Sequence, residues 1–561
     1  MTGSASTETY YDLGSYHRSV DTQSPEAQVW FDRGLIWSYA FNHDEAIRCF
    51  ERALEWDPEL GLAHWGIAYA VGPNYNKAWD AFDPTDRRYS LRRARSELEQ
   101  ATTGRLDSVE LGLISALRQR FSTDDPDNLD ALAGGHSAYA DAMCALAAAH
   151  PDDIDIMTLA ADALLNVTAW QLWDGNSGEP AANSRVLEAT RLLDDVLATP
   201  AGRVHPGALH LYLHAMEMSA TPEVALLAAD RLRGLVPDAG HLQHMPSHID
   251  VLCGNYHDAI EANLLAVEAD RKFVEQEGAA NFYTLYRAHD LHFVVYSAMF
   301  EGNSRIALAA AAELAEQLTP DLLAIPSPPM ADWLEAFVPL GIHVLIRFGR
   351  WQELIAQTAP VDSDLFATTL ATVHYGRGIA YAATGELPNA RAERDALTEA
   401  CERIPSTRYL FNNSCRDILA IARKMLDGEI AYREGNFAEA FAFLREAIEL
   451  DDELPYDEPW GWMQPTRHAY GALLLEQGHV DEAARVYAAD LGLDPSVNRS
   501  SHHPNNVWSL HGYHECLLQL DRTAEAELVG RQLRLVTARA DVPIEASCAC
   551  RLTTSGGCCS A

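Results

Sequence analysis

The sequence predicts an all-α protein, a right-handed solenoid of stacked helix pairs, and three observations carry that reading. A short turn signature recurs: Gly, a polar residue, an apolar one, then often an acidic residue and Ala. It stands as GNYHDAI from Gly254, GNSRIAL from Gly302, GRWQELI from Gly349, GELPNARA from Gly385, GNFAEAF from Gly435 and GHVDEAA from Gly478, at steps of 48, 47, 36, 50 and 43 residues. Between these turns apolar residues follow helical spacing, and alternating strand pattern is nearly absent. Asp57-Pro58 and Asp494-Pro495 close repeats with a residue that cannot continue a helix. Each helix pair leaves an apolar face that only its neighbours can cover, so the array stacks into a superhelix with a concave groove.

In chain order, residues 1–24 read as a polar lead-in. Residues 25–320 form an N-terminal half of the solenoid, opened by the fullest early repeat, FNHDEAIRCFERALEWDPELGLAHWGIAYAV from Phe41. With its inter-helix turn, small residues at helix crossings and closing Pro, this stretch resembles a tetratricopeptide repeat. Periods above the usual ~34 residues imply longer helices or loops. Four prolines in TPDLLAIPSPPMA from Thr319 make a rigid connection to a C-terminal half, residues 321–540. Within that half, LPYDEPWGWMQP from Leu454 reads as a long aromatic loop. Residues 541–561, ending ASCACRLTTSGGCCSA, are small and polar and read as a disordered, Cys-rich tail.

Lys and Arg number 42 against 81 Asp and Glu, a formal net charge of −39. That balance opposes binding to nucleic acid or to an anionic membrane, since phosphates attract basic surfaces. No stretch approaches the ~18 consecutive apolar residues of a membrane span, and MTGSASTETYYDLGSYHRSV lacks the basic start and apolar core of a signal peptide. A cytoplasmic location follows by default.

The chain's chemistry gathers between His205 and His292, where nine of the 22 histidines fall in 88 residues. Their spacing says more than their number. His210, His214 and Glu217 stand at i, i+4, i+7; His241, His244 and His248 at i, i+3, i+7; His289, His292 and Tyr296 again at i, i+3, i+7. On a helix each set is one stripe along one face. Neighbouring helices of a solenoid lie side by side, so three stripes can converge. Neutral imidazoles and a carboxylate held rigidly at short distance are what a transition metal requires. His210, His214, Glu217, His244 and His248 suffice for one site, with His241, His289 and His292 left for a second site or a supporting shell.

This ligand set suits copper, iron or zinc. Glu217 and Tyr296 are the side chains placed to act catalytically beside the metal. The arrangement is not HExxH, because Glu217 follows its histidine pair instead of lying inside it. The alternative is a hydrogen-bonded polar groove that binds an acidic partner peptide without catalysis.

HLYLHAMEMSATPEVALLAADRLRGLVPDAGHLQHMPSHIDVLCGNYHDAIEAN resembles the most recognisable segment of a large family of bacterial tetratricopeptide-repeat proteins of unassigned function. FNHDEAIRCFERALEWDPELGLAHWGIAYAVGPNYN and LPYDEPWGWMQP resemble its other hallmarks, over about residues 25–530. The resemblance implies the fold and the same eight positions, His210, His214, Glu217, His241, His244, His248, His289 and His292. It implies no reaction.

Other groups carry weaker signals. His43, His64, Trp65, Asn74 and Asn76 fall in the first repeats, Asp162 and Asn166 one helical turn apart, and His511 and His514 beside His502, His503 and Cys516. Four cysteines, Cys548, Cys550, Cys558 and Cys559, crowd the last 14 residues. In a reducing cytosol these are thiols, either a soft-metal carrier that supplies the groove or the substrate of a peptide modification. No P-loop, GxGxxG after a strand, G-x-S-x-G elbow or CxxC is present, so nucleotide-dependent and serine-nucleophile chemistry have no support. The sequence therefore points to a metal-dependent oxidoreductase or hydrolase acting on a small-molecule or peptide substrate.

Overall fold

The computed structural model describes residues 10–175 and 177–554, with side chains described through Arg551. Its first repeat shows how the array is built. Ser24 caps the helix Pro25–Tyr39 by accepting from Ala27 N, with Pro25 in the first turn where its missing N–H costs nothing. Asn42 caps the partner helix His43–Trp56 by accepting from Glu45 N. Phe50 of the second helix packs over Gly34 and Gly66, where an added Cβ would lie 2.5 and 2.7 Å from its ring. That close approach explains the small residues at the crossings.

The same unit recurs. Ala367–Ala383 pairs with Leu387–Arg403, Cys415–Arg433 with Phe437–Asp452, Thr466–Glu476 with Val480–Asp490, and Val507–Gln519 with Thr523–Val536. All six signature glycines, Gly254, Gly302, Gly349, Gly385, Gly435 and Gly478, have left-handed backbone, with φ between 64° and 84°. This is the residue that stops one helix and turns the chain into the next, which is why Gly leads the signature. Among the described residues the only strands are Tyr409–Leu410 and Asn413–Ser414, a two-residue hairpin turning through Phe411 and Asn412. No helix among the described residues is long and apolar enough to cross a membrane.

The buried core falls into three clusters, running from Tyr11 to Tyr286, from Val251 to Met463 and from Ala431 to Cys550. Contacts far apart in sequence close the array on itself. Trp508 Nε1 donates to the Met299 carbonyl at 2.7 Å, and Trp170 stacks on Tyr456 at 6.4 Å between ring centroids. The loop from Leu454 is thereby held against the N-terminal repeats.

Both ends depart from the sequence reading. Tyr11 and Leu13, in the expected lead-in, are buried in the first core cluster. The expected disordered tail is docked as far as it is described. Ala546, Ser547 and Cys550 are buried, Ser547 Oγ donates to the His468 carbonyl at 2.9 Å, and Arg347 donates to the Ser547 carbonyl at 3.1 Å. The small side chains that made the tail look unstructured are what let it lie in a crevice between helices. Cys548 and Cys550 are joined as a disulfide instead of standing as thiols. Cys558 and Cys559 lie outside the described residues.

Candidate metal centre

Three segments carry the histidines. The helix Pro206–Glu217 starts at Pro206 with His205 as its cap and is buried along its whole length. Gly207 seats it against Tyr39, whose ring would lie 2.4 Å from an added Cβ. The second segment is two short helices, Gly240–His244 and Pro246–Cys253, joined through Met245 in helical conformation. Pro246 removes a hydrogen bond without changing direction, so His241, His244 and His248 keep one face. The third is Thr284–Glu301, ended by Gly302 at φ 79°.

The stripes converge as two triads, each drawing on two segments. The nitrogens of His210, His214 and His241 lie within 4.8 Å of one another, and so do those of His244, His248 and His289. All six side chains are buried. The triads adjoin: His241 and His244 rings are 5.7 Å apart, as are those of His214 and His248.

Hydrogen bonding fixes which nitrogen each ring offers. His210 Nδ1–H donates to the Tyr39 carbonyl at 2.6 Å, and His214 Nδ1–H donates to Glu217 Oε1 at 2.9 Å. Both Nε2 atoms are left without a partner, as are both nitrogens of His241. Buried polar atoms are rarely orphaned, and here the orphans face one another. In the second triad His244 Nδ1–H donates to Asn263 Oδ1 at 2.6 Å, and Asn263 Nδ2–H donates to the Ala259 carbonyl at 2.7 Å, which sets the amide's orientation. His248 Nδ1–H donates to Glu217 Oε2 at 2.5 Å. His244 and His248 therefore turn their Nε2 lone pairs toward each other, 2.7 Å apart, while His289 Nδ1 is also unpartnered. An amide, a carbonyl or a carboxylate behind His210, His214, His244 and His248 is the supporting shell metal-binding histidines carry.

Glu217 has a different place from that of a free ligand. His214, Glu217 and His248 form a third close group, but its atoms are already joined to one another by the two hydrogen bonds above. One buried carboxylate thus orients a histidine of each triad. Burial opposes its ionisation, and the adjoining His214 and His248 outweigh that and hold its carboxyl below the usual range. Burial, reinforced by neighbouring rings, holds His210, His241, His244 and His289 well below the usual imidazole range, so these rings are neutral and their lone pairs are available.

Two expected residues stand apart. His292 Nε2 faces Met463 Sδ at 2.9 Å and its ring packs on Phe337, outside both triads. Tyr296 packs on Phe300 at 4.5 Å and belongs to the second core cluster, away from the triads. The end of that helix turns toward the core because i, i+3, i+7 drifts around the helix axis. Cys548 and Cys550 pack on the C-terminal repeats, in the third core cluster.

A cavity of about 680 Å³ reaches the second triad, with His248 and His289 in its wall. Its other walls come from the first repeats, the 409–414 hairpin and the loop from Leu454. Sequence reasoning missed three aromatic residues here. Phe41, Trp170 and Phe411 have left-handed backbone, at φ 56°, 60° and 49°. Phe41 lies 4.5 Å from His210, Trp170 6.0 Å from His214 and Phe411 4.7 Å from His289. Bulky residues rarely adopt this conformation, and such strain gathers at functional sites. The other non-glycine residues with positive φ are Asn and Asp, which tolerate it. No one-dimensional pattern marks a residue as left-handed unless it is Gly, Asn or Asp, so the sequence held no signal for these three.

Several of the weaker candidates are internally satisfied, whereas His43 Nε2 and Trp65 Nε1 are buried without a hydrogen-bond partner. Asp162 accepts from Tyr69 and Asn166. His64 pairs with Glu97. His503 joins a cluster the sequence reading did not assemble: Asp490 accepts from His468 at 3.0 Å, His503 at 2.8 Å, Asn506 at 3.0 Å and Ser509 at 2.5 Å. Arg347 lies 3.0 Å from His468 Nδ1. With every lone pair of its carboxylate engaged, this cluster braces the C-terminal repeats.

The tetratricopeptide repeat model matches residues 27–60, the helix pair that opens the array. Protein bimA of Emericella nidulans is 40% identical over 65 residues, which are 11% of this chain and 8% of that protein. Among solved structures, Ypp1 is 10% identical over 96% of this chain and 78% of its own, at a TM-score of 0.45. The IFIT1 monomeric mutant with Gppp-AAAA is 11% identical over 85% and 90%, at 0.32. Yeast Tom70 is 11% identical over 92% and 91%, at 0.26. Residues 27–60 thus carry a tetratricopeptide repeat, and the described residues are all-helical and repeat-built apart from one short hairpin.

Proposed function

We propose that this chain is a metalloenzyme that holds a pair of transition-metal ions in its two histidine triads and acts on a small-molecule or peptide substrate in the adjoining cavity. One observation carries the reading. Four buried imidazoles, His210, His214, His244 and His248, donate through Nδ1 to the protein and so turn unprotonated Nε2 atoms inward, beside unpartnered nitrogens of His241 and His289. Unfilled, that arrangement sets lone pair against lone pair in a low-dielectric interior. A cation resolves it.

The division of labour follows. His210, His214 and His241 are the ligands of one ion, and His244, His248 and His289 of the other. Glu217, Tyr39 and Asn263 hold tautomers and ring orientation. Six imidazoles with no coordinating carboxylate suit copper or zinc better than mononuclear iron, whose open sites take a carboxylate. Copper would supply redox chemistry and zinc a polarised water. The second triad is the reactive one, since His248 and His289 reach the cavity while the first triad lies behind Phe41.

Plasma mass spectrometry on untagged protein, purified without chelators, tests this. About two equivalents of one metal are expected, with His241→Ala and His289→Ala each losing one. Stoichiometry near zero after reconstitution would end the reading and favour the second one, a non-catalytic scaffold whose aromatic cavity receives a partner peptide.

A further inference from the structure

The cavity beside the second triad is lined by acids and by no base other than histidine. Its carboxyl side chains are Asp80, Asp457 and Glu458, burial holding the last two well above the usual carboxylate range, and no Lys or Arg lines it. Its walls are aromatic, with Tyr75, Trp170, Tyr286, Phe411 and Tyr456 among them. At about 680 Å³ it has the volume of a pocket for a drug-sized molecule.

The three acids are not equivalent. Asp457 is engaged by the protein, accepting from Asn412 N at 3.0 Å and from Asn413 Nδ2. Asp80 is exposed at the rim. Glu458 is 4% exposed. It accepts from the Tyr456 hydroxyl and makes no ion pair within 4.0 Å among the described residues. A carboxyl withdrawn from water without a cation is costly to keep, and this one is held in the wall of a cavity at the metal centre. Aromatic faces around it add the quadrupole attraction that organic cations seek.

We infer that the cavity selects an organic cation, an ammonium- or guanidinium-bearing molecule with an aromatic or apolar body, and that Glu458 is the residue that receives its charge. The inference rests on the proposed function for what happens to the ligand and stands separately for what binds. The aromatic walls take the apolar body, Glu458 takes the cationic head, and the head's distance from His248 and His289 fixes which part of the molecule meets the second triad. In the metal-free protein an anionic ligand of the same shape meets three acids and no Lys or Arg.

Calorimetric titration of the full-length protein, as purified and after chelator treatment, tests this with two probes of similar shape. One is phenethyltrimethylammonium, a cation that cannot ligate a metal; the other is 3-phenylpropionate. The cation should bind at least about tenfold more tightly in the chelator-treated protein, where no metal offers the carboxylate a ligand site. Glu458→Gln should cost the cation about tenfold in affinity without weakening the anion, and metal content should not change. Equal affinities in the metal-free protein, preference for the anion, or no binding of either probe would overturn the proposal. An unchanged cation preference in Glu458→Gln would remove Glu458 from it. The comparison in the unsubstituted protein decides the question even where the variant does not fold. Cation selectivity in a protein that takes up no metal on reconstitution would sink the metalloenzyme reading alone; two equivalents of metal without selectivity in the metal-free form would sink this one alone.

Discussion

His244 and His248 point their Nε2 atoms at each other across 2.7 Å, with both Nδ1–H groups already committed, one to Asn263 and one to Glu217. Neither ring has a proton to share at that contact. The same carboxylate that commits His248 also commits His214 in the other triad. Glu217 therefore links the two triads, and under the proposed function single substitutions behind the ligands should be readable in each.

Asn263→Ala removes the 2.6 Å acceptor of His244 Nδ1–H, leaving it only Asp290 Oδ1 at 3.3 Å. Affinity at the second triad should fall about 10- to 100-fold, with the first metal equivalent retained. Competition with a graded chelator series measures it, and equal loss from both triads would contradict the assignment.

Glu217→Gln offers one acceptor oxygen where two are needed. Both equivalents should weaken by about 10- to 100-fold, unlike the selective effect at Asn263. Unchanged binding at both triads would show that Glu217 does not position them.

His292→Ala should leave metal content at the unsubstituted value, because His292 faces Met463 and Phe337. Loss of an equivalent in a folded variant would restore His292 to the ligand set.

Acid should destabilise the metal-free protein well above the carboxylate range. Burial holds His43 and His343 neutral, each lowered from 6.5 to about 4. Between those values the unfolded chain takes up protons that the folded chain refuses, so stability present above pH 6.5 is lost as pH falls toward 4. Unfolding free energies from denaturant titrations over this window, on chelator-treated protein, should fall by on the order of a few kcal/mol in all. A flat profile would mean that these rings titrate normally.

Truncation after Ala540 should destabilise the C-terminal repeats by roughly 1–3 kcal/mol, because Arg347 loses the Ser547 carbonyl and Tyr487 loses the Ser547 hydroxyl. Metal content should be unaffected. An unaltered thermal transition would show that the docked segment carries no stability.

The sequence by itself determined the fold class and the metal-capable positions. Six Gly-led turns announced helix pairs because a left-handed residue after a helix favours Gly, a constraint written in one residue type. The stripes of His210 and His214 and of His241, His244 and His248 were legible because helical spacing alone puts them on one face. Tertiary structure alone decided how the stripes divide. Two triads form, with Glu217 between them and His292 and Tyr296 turned away, because convergence depends on the crossing of separate helices and not on spacing within one. It also decided the left-handed Phe41, Trp170 and Phe411, the docked Ser547 and the acidic cavity at Glu458. Each brings together residues far apart in the chain, and the packing that holds them there leaves no local pattern to read.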